Sequence, residues 1–294
     1  GIRVADLYDP ESFRNLYDTL VEDKQTLAAT FNLHETIDYS QVRQQYEEFA
    51  QCIQPLVCDT AAALADAMAQ GKRILFEGAQ GTMLDVDHGT YPFVTSSSAA
   101  AGGASTGTGV PPTKISGIIG VSKAYITRVG SGPFPTESHD GGGELLRREG
   151  NEFGAVTGRP RRCGWFDAVV VRHATRVNGL TSLAVTKLDV LDGCKEVKLC
   201  TGYKYDGTLY KDMPSDLEVL ANCQPVYQRM KGWTASTTGA TTYKQLPSEA
   251  KRYLARIEEL AQCPIDMIST GSKRAETIVL RNPLDCSRRR PTRR

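Results

Sequence analysis

A lysine and an aspartate, Lys187 and Asp189, closely follow the apolar run 183–185. The run predicts a buried strand, and the two polar residues then lie at its carboxyl edge, where α/β folds gather their ligands. A carboxylate there can accept both N–H donors on the edge of a guanine base, while the lysine stem lies against the flat ring. Adenine has no such donor pair. Because strands often end in polar turns, this short motif indicates a guanine site only together with other segments.

A second group with chemical potential is a glycine-flanked loop that contains Arg159, Arg161 and Arg162. Guanidinium groups bind carboxylates and phosphates through paired hydrogen bonds, so the loop suits an anionic substrate. A basic surface turn has the same composition, and both interpretations stay open. The glycines before the arginines and the pair Gly164-Trp165 after them favour a hinged lid.

A third polar group follows the predicted strand 73–78 and begins with Gln80. Asp85, Asp87 and His88 come next and can be read as a metal cluster, with His88 as a general base. Their one-residue spacing in a loop favours hydrogen bonds within a turn instead. The segment 95–112, rich in serine, alanine and glycine, is typical either of a flexible linker or of a backbone that approaches a phosphate.

Composition excludes several classes of function. The chain has 294 residues and a net charge of +1, but five of its arginines stand within 287–294, so the remainder is mildly acidic. We therefore expect no nucleic-acid partner, and a role for the arginine tail in nucleic-acid binding is the least favoured alternative. The eight cysteines form no C-x-x-C pair, which predicts reduced thiols and a cytoplasmic protein. No apolar stretch approaches about 20 residues, so we expect no membrane partner.

Hydrophobic periodicity predicts an α/β fold in which helices flank a mostly parallel central sheet. The apolar positions predict helices over 10–31, 39–71 and 246–263. Short apolar runs predict strands over 73–78, 168–171, 182–186 and 265–270. Gln80, Asp189 and the triplet 269–271 then follow the ends of three strands. Neither a G-x-x-x-x-G-K-[ST] nor a G-x-G-x-x-G motif is present.

Five strings together resemble the adenylosuccinate synthetase family. They are FEGAQGT at 76–82, DVDHGTYP at 85–92, TGR at 157–159, TKLDVLDG at 186–193 and STG at 269–271. The resemblance implies a P-loop-NTPase-like synthetase architecture and GTP-dependent ligation of IMP and L-aspartate to adenylosuccinate, in the synthesis of AMP. In that family GTP phosphorylates the 6-oxygen of IMP with the help of Mg²⁺, and the aspartate amine displaces the phosphate.

The resemblance also assigns residues. Gln80 resembles the glutamine near the 6-oxygen of IMP, Thr95 a ligand of the IMP phosphate, and Arg159 a contact of both IMP ribose and aspartate. The aspartate-binding loop corresponds to Ala155, Val156, Thr157, Gly158, Arg159, Pro160 and Arg161, of which Arg161 also reaches GTP. Val156 stands where the family usually has threonine, which removes one hydroxyl from this loop. The guanine pocket corresponds to Lys187, Leu188, Asp189, Ser269, Thr270 and Gly271.

The family opens with a glycine-rich phosphate loop that carries a general-base aspartate, also a Mg²⁺ ligand, and a general-acid histidine follows. Neither is in this sequence. We therefore expect the C-terminal two thirds of a synthetase domain at 1–285 and a disordered basic tail at 286–294. Without the Mg²⁺ ligands, the 294 residues alone are expected to be inactive. The resemblance also implies a homodimer, because in this family the partner subunit contributes an arginine to the IMP site. The alternative is a non-catalytic module that binds guanine nucleotides or IMP.

Overall fold

The computed structural model describes residues 1–33, 37–154 and 158–285. The chain divides into two compact units, Gly1–Lys72 and Arg73–Arg294. The predicted basic tail at 286–294 lies outside the described residues. The assignment of 1–285 to one synthetase domain stays a prediction.

The first unit is helical. An aspartate precedes each of the three α-helices described in it and accepts backbone N–H groups from the first turn, the usual way a helix start is stabilised. These aspartates are Asp9, Asp38 and Asp59. The helices are α1 (Pro10–Thr30), α2 (Tyr39–Ile53) and α3 (Thr60–Ala69).

The prediction of one helix over 39–71 was wrong, whereas the helix predicted over 10–31 is confirmed as α1. Pro55 has no N–H to donate and its ring collides with the preceding turn, so α2 gives way to a short 3-10 turn at Gln54–Leu56. Asp59 then accepts from the N–H of Ala62 and starts α3 as a separate helix.

The second unit is an α/β structure. Its described helices are α4 (Gly102–Thr108), α5 (Gly141–Glu149), α6 (Ala168–Asn178), α7 (Leu217–Asn222) and α8 (Ser248–Ala261). Its described strands are β1 (Ile119–Lys123), β2 (Ile126–Arg128), β3 (Arg162–Gly164), β4 (Phe166–Asp167), β5 (Ser182–Thr186), β6 (Glu196–Tyr205), β7 (Thr208–Tyr210), β8 (Gln224–Lys231), β9 (Ile265–Ser269) and β10 (Thr277–Val279). The predicted α/β class is confirmed.

The central sheet has the order β1-β5-β9-β10. Strands β1, β5 and β9 are parallel and β10 is antiparallel, so the predicted mostly parallel sheet is confirmed. Helix α8 buries Leu254 and Ile257 in the same core as Leu183 and Val185 of β5. A second sheet pairs β6 with β4, β7 and β8, and β2 pairs with β3. Because parallel strands end at one edge, residues after β1, β5 and β9 are brought together.

Two predicted strands were wrong. The segment 73–78 forms no strand, and its Leu75 is 74% exposed, because no neighbouring strand among the described residues pairs with it. The segment 168–171 is the first turn of α6. Asp167 accepts from the N–H groups of Val169 and Val170 and so starts a helix where the apolar run alone predicts a strand.

Asp167 gives the fold a testable pH dependence. Its buried carboxyl also accepts from the Tyr203 hydroxyl at 2.7 Å, and burial raises its pKa from 3.8 to about 6. The folded chain therefore holds a proton that the unfolded chain releases between these two pH values. This contribution to stability is complete below pH 4 and is lost as the pH rises through 6, by at most about 1.4 kcal/mol per pH unit.

We expect Asp167→Asn to flatten the slope of unfolding free energy against pH between pH 4 and 6. Urea unfolding at closely spaced pH values measures that slope. A slope identical to that of the unsubstituted chain would contradict the assignment.

Candidate functional site

One buried carboxylate organises the carboxyl edge of the central sheet. Glu152 is fully buried and accepts hydrogen bonds from the ammonium groups of Lys123 and Lys187 and from the guanidinium of Arg161, each at 2.8 Å. The Tyr125 hydroxyl is a further donor. Burial works against the charged form, but these donors outweigh it and lower the Glu152 pKa to about 2. We call these five residues the Glu152 cluster.

The parallel strands bring the Glu152 cluster together. Lys123 ends β1 and Lys187 follows β5, and the register pairs Lys123 with Thr186. Arg161 immediately precedes β3, and its N–H donates to the Glu152 carbonyl oxygen at 2.9 Å. The structure thus places Lys187 of the predicted guanine motif and Arg161 of the predicted anion-binding loop on one carboxylate.

The sequence interpretation missed Lys123, Tyr125 and Glu152. Lys123 and Tyr125 could have been found from the sequence, because Lys123 is the last residue of a parallel strand and Tyr125 lies two positions after it. Glu152 has no comparable signal, since three of its partners, Lys123, Tyr125 and Lys187, lie 27 to 35 positions away along the chain.

The backbone at Lys187 is left-handed, with φ of 58°. A non-glycine residue there costs about 1–2 kcal/mol, which the surrounding contacts must offset. The ammonium group donates to the Gly150 carbonyl oxygen as well as to Glu152. Because its charged end is held by these acceptors, the aliphatic stem is the part of Lys187 that can face a ligand.

Two aspartates three positions apart have opposite surroundings. Asp192 accepts from the Trp233 indole, the Ser236 hydroxyl and both the N–H and the hydroxyl of Thr237, at 2.6–3.0 Å. Asp189 Oδ1 is buried and has no hydrogen-bond partner among the described residues. Burial is the largest influence on Asp189 and raises its pKa. A buried carboxylate oxygen without a donor is costly, and a ligand with N–H groups would satisfy it.

The predicted triplet 269–271 lies at the end of β9, next to β5. Thr270 is buried. Its hydroxyl donates to the Ala240 carbonyl oxygen at 2.9 Å, and its backbone N–H donates to the Glu276 carbonyl oxygen. A Cβ added to Gly271 would lie 2.3 Å from Glu276 Oε2, so the side chain of Glu276 occupies that space. The charge of Glu276 also contributes to the raised pKa of Asp189, after the larger effect of burial.

The arginine loop folds back on itself. Phe153 and Pro160 form an isolated antiparallel β-bridge, and the Gly154 N–H donates to the Arg159 carbonyl oxygen. Gly158 has a left-handed φ of +64°, a conformation that suits glycine. Its three arginines differ in their surroundings. Arg159 is exposed, Arg161 joins the Glu152 cluster, and Arg162 is paired with Glu137 and the carbonyl oxygens of Gly130 and Gly132. Ala155, Val156 and Thr157, predicted to bind aspartate, lie outside the described residues.

The predicted IMP ligands Gln80 and Thr95 belong to the segment before α4. Gln80 is exposed and left-handed, with φ of 61°, and the Thr95 N–H donates to the Leu84 carbonyl oxygen. Within the described ranges, no hydrogen bond or ion pair joins Gln80 to the Glu152 cluster. That the two groups share one cavity stays a prediction.

The turn interpretation of Asp85 is confirmed. Its Oδ1 accepts from the N–H groups of Asp87 and His88 at 2.9 Å, and its Oδ2 accepts from the N–H of Ala100 at 2.8 Å. Burial opposes ionisation, but these donors prevail and lower the Asp85 pKa. In the described part of the chain, no three His, Cys, Asp or Glu side chains are grouped to hold a metal ion. The helices described there include none long and apolar enough to cross a membrane.

Comparison with known proteins agrees with the motif pattern. The sequence profile of a family described as adenylosuccinate synthetase matches residues 1–278. The adenylosuccinate synthetase of Trichlorobacter lovleyi is 52% identical over 283 residues, which cover 96% of this chain and 66% of the relative. That of Solibacter usitatus is 52% identical over 279 residues, which cover 95% and 64%.

A solved structure of fully ligated adenylosuccinate synthetase from Plasmodium falciparum superposes with a TM-score of 0.89 at 35% identity. The superposition covers 95% of this chain and 66% of that one. The chain thus spans slightly less than two thirds of the length of these relatives, at 64–66%. On the profile match over 278 residues and the close structural likeness, the chain belongs to the adenylosuccinate synthetase family.

Proposed function

We propose that this chain carries the guanine-nucleotide, IMP and L-aspartate sites of an adenylosuccinate synthetase. The complete enzyme would join IMP and L-aspartate at the expense of GTP, through 6-phosphoryl-IMP, in AMP biosynthesis. The observation that carries the proposal is the Asp189 carboxylate, two positions after Lys187, which has a buried oxygen without a hydrogen-bond partner among the described residues. The Asp192 carboxylate already accepts four hydrogen bonds, two on each oxygen, so it has no oxygen left for a base.

In this proposal the guanine base lies between the Lys187 stem and the triplet 269–271. The N1–H and the 2-amino group of guanine donate to Asp189, and charge-assisted hydrogen bonds of this kind are the stronger ones. Leu188, which precedes Asp189, is fully buried in the hydrophobic core. An adenine base would leave the Asp189 oxygen without a donor, so the pocket would reject adenine nucleotides.

The loop 155–161 would hold the carboxylates of L-aspartate, with Arg159 and Arg161 as the cationic ligands. Arg161 would reach GTP as well, because it stands 2.8 Å from the carboxylate that also binds Lys187. Gln80 would orient the 6-oxygen of IMP, and Thr95 would bind the IMP phosphate. These groups align the reactants, which is a large part of catalysis in phosphoryl transfer.

The described residues contain no group of three His, Cys, Asp or Glu side chains that could hold a metal ion. We propose that the Mg²⁺ ligands and the groups that transfer protons lie in the third of the relatives that this chain does not match. We also propose a homodimer that works in the cytoplasm. No reaction step through the metal is assigned to the residues of this chain.

The proposal predicts selective binding without turnover by the 294 residues alone. Calorimetric titration of the purified chain with GTP and ATP is expected to give at least tenfold tighter binding of GTP, because adenine cannot satisfy Asp189. An absorbance assay with IMP, L-aspartate, GTP and Mg²⁺ is expected to show no product. Equal affinities for the two nucleotides would contradict the guanine site. Turnover would contradict the assignment of the metal and proton-transfer groups to other sequence.

A further inference from the structure

Glu152 connects two parts of the proposed substrate site. Its Oε1 accepts from Lys187, at the end of β5, and its Oε2 accepts from Arg161, immediately before β3. Lys123, from the end of β1, donates to both oxygens. One buried carboxylate therefore joins the paired ends of β1 and β5 to the residue that precedes β3.

The charges of the Glu152 cluster do not cancel. Three cationic side chains surround one carboxylate, which leaves an excess of positive charge. The cations are partly open to solvent, with side-chain exposures of 23% for Lys123, 35% for Lys187 and 30% for Arg161, whereas Glu152 is completely enclosed. The enclosed anion thus holds the cations in place, and their exposed portions can attract an anionic ligand.

We propose that Glu152 is a positioning residue that sets the Lys187 stem for the guanine base and the Arg161 guanidinium for an anionic substrate at the same time. The inference rests on the proposed function, because Lys187 and Arg161 belong to its two sites. Glu152 itself contacts neither substrate.

The physical basis is the difference between a held and a free side chain. Lysine and arginine each lose considerable rotamer freedom when they are fixed, and a ligand that must fix them itself binds more weakly. With the Glu152 charge removed, the three cations also repel one another across a short distance. Lys187 would then leave the Gly150 carbonyl oxygen, and Arg161 would turn toward solvent.

The test is Glu152→Gln, which keeps the shape and removes the charge. Glu137→Gln is the matched control, because Glu137 is a glutamate paired with Arg162, the neighbour of Arg161. Calorimetric titrations with GDP and with L-aspartate measure the two sites separately. We expect Glu152→Gln to raise both dissociation constants about tenfold, the size of effect typical of a lost charged hydrogen bond. Glu137→Gln should change neither, and Glu152→Asp, which retains the charge, should recover part of both affinities.

A purely structural role for Glu152 predicts a different pattern. Glu152→Gln would then lower the melting temperature, and both dissociation constants, measured well below it, would stay at their original values. That outcome would overturn the inference, and so would an effect on one ligand only. If the unsubstituted chain bound no GDP, the proposed function and the inference that rests on it would both fail.

Lysine acetylation read by mass spectrometry supplies a measurement without ligand. Lys187 should be labelled several-fold faster in Glu152→Gln than in the unsubstituted chain or in Glu137→Gln. Equal labelling rates in all three would show that Glu152 does not hold this lysine and would overturn the inference even where GDP binds.

Discussion

Asp189→Asn is expected to weaken the binding of GTP about 100-fold, because two charge-assisted hydrogen bonds to the base are lost or reversed. The asparagine amide presents a donor where the carboxylate presented an acceptor, so it opposes the 2-amino group of guanine. The same amide suits xanthine, which has a carbonyl oxygen at that position. We therefore expect the variant to bind XTP better than GTP, and competitive titration of the two nucleotides measures the ratio.

Asp192→Asn is the control for this exchange. It makes the same chemical change three positions away, but the Asp192 carboxylate is already occupied by donors from Trp233, Ser236 and Thr237. Its preference for GTP over XTP should equal that of the unsubstituted chain. If Asp189→Asn kept that preference while Asp192→Asn reversed it, the guanine site would be assigned to the wrong carboxylate.

The second large effect is on stability, and it belongs to Asp192. In Asp192→Asn the amide nitrogen replaces one carboxylate oxygen and must face either the Trp233 indole N–H or the backbone N–H of Thr237, neither of which can accept a hydrogen bond. One N–H donor then loses its acceptor, and an unsatisfied buried group costs about 1–3 kcal/mol. We expect the free energy of unfolding to fall by about 2 kcal/mol, measured by urea denaturation at pH 7.

The same measurement on Asp189→Asn should show no loss. Burial raises the Asp189 pKa, which means that folding destabilises the ionised carboxyl, and a neutral amide relieves that cost. Asp189→Asn is therefore expected to weaken GTP binding without a loss of stability, and Asp192→Asn is expected to lower stability without a change in nucleotide preference. A loss of stability in Asp189→Asn as large as in Asp192→Asn would show that Asp189 also serves the fold.

Much of the architecture follows from local patterns. The strands around 182–186 and 265–270 and the helix around 246–263 are confirmed as β5, β9 and α8. The errors came from competing local signals. Pro55 interrupts the predicted helix over 39–71, and the aspartate cap at Asp167 converts a predicted strand into α6. The segment 73–78 has the composition of a strand, but a strand also needs a neighbour to pair with.

The sequence by itself indicated the family and predicted the guanine site and the arginine loop, because these depend on residue types at short spacing. Tertiary structure alone decided that Asp189, rather than Asp192, keeps an oxygen that no described residue pairs with, and that Glu152 joins Lys187 to Arg161. The donors that occupy Asp192 lie 41 to 45 positions away, and Lys187 lies 35 positions from Glu152. Spacing specifies only contacts within a turn or along a strand, whereas contacts at such separations exist only once the parallel strands have brought their ends together.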